Sequence, residues 1–382
     1  MGGANEESKP ELGTWNLELP SVSIHRVPRA LQSDVMKILA YVVAAILLGA
    51  LLAPWLYTAG KALAEVTQGA DVTQRKETNG FIEWMASACR NAEFPRFFNR
   101  ALMISALVLM IPLIQWLRME RGKLAYRDTP WSLRLPEAAI AANEGQPLRR
   151  NHRGPGQLFL GFLVASAGLL LLGLALVHAE VFVWRNSSLA NGVSVPAINV
   201  WKVVRSAVGP AVVISMIEEV IFRGILLGLF MRAMRTWTGL VCVSLLFAFV
   251  HFLQPSGGVM VPDPESPTAG LWLIGQIFLR FTRPLDLIAG FATLTAVGMV
   301  LAYARWRTAS LWLPIGLHAG WIFGIAVFKA ITWAASGVSP AAKFLIGPTL
   351  REGLVPLVVV LLTGVAVHGF TRNPGCGSRP AN

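Results

Sequence analysis

The chain has 382 residues, of which 54% are hydrophobic and only 14% charged, and it carries a net charge of +12. An ordinary soluble domain has about 25% charged side chains, so the composition excludes one and points to a protein built into a membrane. The positive charge lies in loops beside apolar runs rather than on a soluble face, which makes anionic lipid headgroups its expected partner and argues against nucleic acid.

Residues 1–37 are polar and hold no apolar signal core, so the first apolar run is read as a signal anchor. Charge-poor runs at 38–57, 101–117, 157–177, 208–231, 240–253, 285–303, 311–333 and 353–370 predict an all-α, polytopic membrane protein of about eight spans. The warrant is length, since about 20 apolar residues in a helix cross about 30 Å of hydrocarbon. Residues 271–279 are too few to cross; they read as a re-entrant or interfacial turn, or as the start of a tilted sixth span, which leaves a nine-span count open. Lysine and arginine are in excess on the segments that an eight-span chain with an internal N-terminus places inside. Both termini are therefore expected in the cytoplasm, with the chain in the cytoplasmic membrane of a bacterium.

Three regions are expected. Residues 1–196 hold three spans and long basic loops, one of them at 58–100, 197–335 form a denser core with short turns, and 336–382 supply the last span and a tail. The segment 118–156 is rich in Arg, Pro and Gly, and its stretch from Pro130 to Pro136 reads either as a headgroup-surface segment anchored by Trp131 or as a solvated loop. Residues 254–270 hold four prolines and three glycines, which forbid a helix and predict an irregular flap after His251. Cys89, Cys242 and Cys376 stand singly without CxxC spacing, so neither a disulfide framework nor a zinc ribbon is expected.

Three of the runs carry polar residues that an inert bundle does not need. Glu218, Glu219 and Arg223 lie in the fourth, His251 ends the fifth and His318 lies in the seventh. An ionisable group near the middle of a span costs roughly 2.5–3.5 kcal/mol on insertion scales, so it is expected to have a partner. On a helix Glu219 and Arg223 share a face and can pair, while Glu218 is turned about 100° from Glu219 and faces elsewhere. One carboxylate can thus be structural while its neighbour works. A glutamate beside a neutral histidine in a partly dry cavity is suited to activating water, and a second imidazole can donate to the oxyanion of a tetrahedral intermediate. The plainer alternatives are a structural ion pair, an interfacial His251, and a His318 that satisfies a carbonyl freed by Pro314.

The ordered strings are Glu218-Glu219-x-x-x-Arg223-Gly224, then Phe247-x-x-x-His251, then Gly290-Phe291-Ala292 with Gly298, and the run from Ser310 through Pro314 and His318 to Trp321. Over roughly residues 203–323 they closely resemble the CAAX protease and bacteriocin-processing family of intramembrane proteases, also called the abortive-infection family. The resemblance implies an all-helical membrane peptidase, a family that includes enzymes trimming the last three residues from prenylated CAAX proteins. It implies that Glu218 and His251 activate water, that His318 helps stabilise the oxyanion, and that Glu219 and Arg223 form the supporting pair. Phe247 and the position of Ile322 are expected to line the site.

Glu218, His251 and His318 would suffice as zinc ligands in principle, but the chain has no His-Glu-x-x-His, and the expectation is a metal-free glutamate mechanism with no cofactor. There is one departure. Family members usually carry Asn or another small polar residue four positions after the third-motif histidine, and here that residue is Ile322. Loss of an oxyanion donor costs about 10²–10³ in rate. The expected function is an intramembrane endopeptidase acting on a membrane-associated or lipidated, CAAX-like substrate. The alternative is a catalytically weak homologue that binds or escorts a membrane partner. A transporter using Glu218 as a proton site would predict inverted repeats, and the sequence shows none.

Overall fold

The computed structural model describes residues 34–69, 80–119, 154–185, 198–253, 259–279, 284–335, 345–347, 350–351 and 353–371. In chain order the helices are α1 (Asp34–Gly69), α2 (Gly80–Arg90), α3 (Phe94–Met119), α4 (Gly154–His178), α5 (Val200–Glu219), a π-helical turn (Val220–Leu226), α6 (Leu227–Ala233), α7 (Thr236–Phe252), α8 (Ala269–Leu279), α9 (Pro284–Thr308), α10 (Trp312–Ile331) and α11 (Leu354–Thr371). Two three-residue strands, β1 (Phe182–Trp184) and β2 (Thr332–Ala334), pair antiparallel with Val183 opposite Trp333.

The protein is an all-helical, polytopic membrane protein. Among the described residues six helices are long and apolar enough to cross a membrane: Met36–Thr67, Phe94–Trp116, Gly154–His178, Ile288–Thr308, Trp312–Ile331 and Leu354–Thr371. The other two expected spans are helical but fall short of that standard. The run at 208–231 lies within α5, the π turn and α6, interrupted by the charged site, and the run at 240–253 lies within α7, which has only 17 residues. The short run at 271–279 is α8, an 11-residue helix. Residues 58–100, expected as a long loop, instead contain the last third of α1, all of α2 and the start of α3. At 1.5 Å per residue α1 is about 54 Å long, well beyond the thickness of hydrocarbon. Its C-terminal part is tied to α2 where Lys61 donates to the carbonyl of Arg90.

Of the expected proline-rich flap, residues 259–268 are non-helical, as the prolines require, 254–258 lie outside the described residues, and the last two, Ala269 and Gly270, instead begin α8 beyond the final proline. Outside them too are most of the basic segment with Trp131, the boundary stretch 186–197, and Cys376. Cys89 and Cys242 are free.

Small residues set how the spans meet. In lipid there is little hydrophobic drive between helices, and small side chains let backbones approach closely. On α10 the repeat Gly316-x-x-x-Gly320-x-x-x-Gly324 faces α4: a Cβ at Gly316 would sit 2.1 Å from the carbonyl oxygen of Leu158, and one at Gly320 2.5 Å from that of Phe162. Any larger residue there would push α4 off α10. α4 therefore packs along α10 although 133 residues of chain lie between His178, which ends one, and Trp312, which starts the other. α10 in turn packs on α5, α9 on α7 and α11, and α1 on α3 and α8. The site lies where α5, α7 and α10 converge, and its Phe247 belongs to a buried apolar cluster with Phe222 and Leu240.

Candidate active site

α5 starts at Asn199, whose side chain accepts the backbone N–H of Lys202 and caps the first turn. It runs as a regular α-helix to Glu219 and then widens into the π turn, where the N–H of Leu227 reaches back five residues to the carbonyl of Phe222. π turns are often found at functional sites. Here the turn carries Arg223.

Glu219 and Arg223 are both fully buried and pair at 2.9 Å between Oε1 and Nη1. Arg223 Nη2 donates to the carbonyl of Gly298 on α9 at 3.2 Å, and its guanidinium lies 4.4 Å from the centre of the Phe247 ring. Gly298 also lets α9 pack closely on α7, since a Cβ there would fall 2.9 Å from the Cα of Ser244. The same Glu219 Oε1 lies 2.8 Å from His318 Nδ1. Because this oxygen already accepts from Arg223, the ring nitrogen is assigned as the donor. His251 Nδ1 lies 2.9 Å from the carbonyl of Phe247, which can only accept, so it too carries its hydrogen on Nδ1. In their neutral forms both imidazoles then present a bare Nε2.

Both bare nitrogens face Glu218. Its Oε2 lies 3.5 Å from His251 Nε2 and 3.8 Å from His318 Nε2, beyond direct hydrogen-bond length, and has no hydrogen-bond partner. The Glu218 side chain is 21% exposed where Glu219 is 0%, so the two adjacent carboxylates face different surroundings. Phe247 is stacked against His251 at 4.2 Å between ring centres and meets His318 edge-on at 5.8 Å. The structure thus gathers all five polar residues singled out in the sequence around Phe247.

Two cavities meet at Glu218, His251 and Ile214. One, of about 350 Å³, also has Phe247, His318, Trp321, Ile322 and Arg351 in its wall; the other, of about 440 Å³, is walled by α1 and α3, with Tyr41, Arg96, Asn99 and Arg100. Ile322 lies in the first, so the side chain that departs from the family pattern does border the site. Among the described residues no group of three or more His, Cys, Asp or Glu side chains is placed to hold a metal ion.

Residues 199–324 match the Rce1-like family, described as type II CAAX prenyl endopeptidase. The matched Rce1-like segment holds all of Glu218, Glu219, Arg223, Phe247, His251, His318 and Ile322. Its family is one of membrane proteases, in agreement with the motifs and with the helical, membrane-spanning build. No curated protein and no solved structure matches the chain. The walls of both cavities extend beyond the Rce1-like segment: α1 and α3 precede it, and Leu350, Arg351 and Val360 follow it. Nothing in the sequence marks these residues, or Trp321 in the third motif, as part of the site.

Proposed function

We propose that the chain is a membrane-embedded endopeptidase in which Glu218 is the general base. The observation that carries this is the placement of Glu218 Oε2 between two imidazole nitrogens whose other ring positions are tied down by Phe247 and Glu219. At 3.5 and 3.8 Å these atoms are too far apart for direct bonds, and a water beside them in the cavity can reach both Glu218 and an imidazole. Such a water donates one hydrogen to Glu218 and the other to His251 Nε2, leaving an oxygen lone pair for the scissile carbonyl carbon.

As the water oxygen bonds to that carbon, its proton passes to Glu218 and the carbonyl π pair moves onto the carbonyl oxygen. Collapse breaks the C–N bond, and the proton held by Glu218 goes to the departing amine. The water's second proton remains on the new carboxyl group and passes from it to the amine, so the products are a carboxylate and an ammonium, and the base is restored. Glu219 and Arg223 hold the His318 ring in place without touching substrate. The apolar walls suit a peptide delivered from the membrane, and the substrate proposed is a membrane-associated or lipidated, CAAX-like protein. The reaction so written uses no metal or cofactor.

Purified protein incubated with a panel of membrane-tethered peptides, prenylated and not, tests this, with Glu218→Gln as control. Cleavage by the parent and none by the variant supports the reading. One observation favours a second reading: Ile322 puts an apolar side chain where a polar one is usual, as in a homologue that binds a membrane partner without cutting it.

A further inference from the structure

The neutral tautomers assigned to His251 and His318 leave both Nε2 atoms as acceptors, and Ile322 offers no donor. A tetrahedral intermediate formed in this cavity nevertheless needs a hydrogen-bond donor for its oxyanion. Thr293 is in the cavity wall, but its hydroxyl stands 2.8 Å from each of two backbone carbonyls, those of Ala289 and Gly353, and is committed there.

Trp321 is in the same wall, three residues beyond His318 on α10 and so on a neighbouring part of the same face. The residue is 4% exposed, and its indole Nε1 is buried with no hydrogen-bond partner. An indole N–H can only donate. Buried donors in native proteins are almost always paired, and one left without a partner calls for an explanation.

We propose that Trp321 Nε1–H is the donor to the scissile carbonyl oxygen, supplying the contact that Ile322 cannot. The inference rests on the peptidase reading above. When water adds to the carbonyl carbon and the π pair moves to oxygen, the acceptor becomes anionic and the N–H···O bond strengthens. The contact is thus stronger in the transition state than with bound substrate, which is the condition for raising turnover rather than affinity.

The test is Trp321→Phe in the full chain in detergent, assayed on a fluorogenic peptide ending in a prenylated cysteine and three further residues, and on its unprenylated counterpart. The phenyl ring keeps most of the apolar contact and removes the N–H. The expected result is a fall in kcat of about 10²-fold with little change in KM. Adding Ile322→Asn to Trp321→Phe, which restores a donor at the next position, should recover part of the loss. A role in packing alone would lower thermal stability and would not be repaired by that second substitution, and such an outcome overturns the proposal. So does a Trp321→Phe variant with parental turnover, or one outperformed as a lesion by Arg351→Gln, which would assign the donor to the guanidinium. A parent that cuts neither peptide nor any other in the panel sinks the peptidase reading and this inference with it, whereas an active parent with an indifferent Trp321 sinks the inference alone.

Discussion

Glu219 Oε1 lies 2.8 Å from His318 Nδ1, and this contact joins two motifs that are 99 positions apart in the chain. It gives the buried carboxylate two tasks, neutralising Arg223 and fixing which nitrogen of His318 faces the cavity. A carboxylate holding the far side of a working imidazole orients the ring and sets its tautomer. Glu219→Leu should therefore lower kcat about as much as His318→Ala does, whereas Glu219→Gln, whose amide oxygen can still accept from Nδ1, should retain more. Steady-state kinetics on the three variants check this, and equal loss in all three would reduce Glu219 to a counter-ion.

Arg223 Nη1 donates to that same Glu219 Oε1 at 2.9 Å. Arg223→Ala strands Glu219 in a dry interior, and breaking a buried pair in this way costs about 3–5 kcal/mol. Yield and thermal midpoint in detergent should both drop. The double variant Glu219→Gln, Arg223→Gln carries no uncompensated charge and should regain part of the loss. If it is no more stable than the single variant, the two residues do not act as a pair.

Ile322 borders the cavity beside Trp321. Ile322→Asn adds an amide donor at the wall, at a tolerable cost where the side chain meets a wet cavity, so the variant should express and its kcat should rise. Should it fold normally and stay inactive on every peptide, with the parent inactive too, the binding reading takes the place of the enzymatic one.

A glutamate mechanism predicts that turnover survives dialysis against EDTA or phenanthroline and gains nothing from added zinc. Loss of activity on chelation, restored by zinc, would replace Glu218 as a base with Glu218 as a ligand.

The site was more legible in the sequence than its surroundings. Glu218, Glu219, Arg223, His251 and His318 stood out because a charge or imidazole in an apolar run is costly and so rarely idle. The i, i+4 spacing placed Glu219 against Arg223 and turned Glu218 away, and the observed burial follows that division. Helical class was equally plain from the apolar runs. What did not show was long-range. The pairing of Phe182 with Ala334 joins two three-residue strands far apart in the chain, too short for any period to mark them. The walls supplied by Tyr41, Arg100 and Arg351 depend on which helices pack together, and hydropathy along the chain carries no such information. The run at 208–231 counts among the eight expected spans because its apolar residues outnumber its charges, but hydropathy does not mark the π turn, which with those charges sets it apart from the six helices that qualify by length and apolarity. The long loop expected at 58–100 failed for a related reason: α1 continues as a helix past its apolar run, held by tertiary contacts such as Lys61 to Arg90.

The most direct test of the account is Glu218→Gln measured beside the parent on the membrane-tethered peptide panel, with thermal midpoints recorded for both. The substitution keeps volume and hydrogen-bonding capacity but removes the base. The prediction is a parent that cleaves at least one peptide and a variant of equal stability that cleaves none. A Glu218→Gln protein that turns over at the parental rate would contradict it.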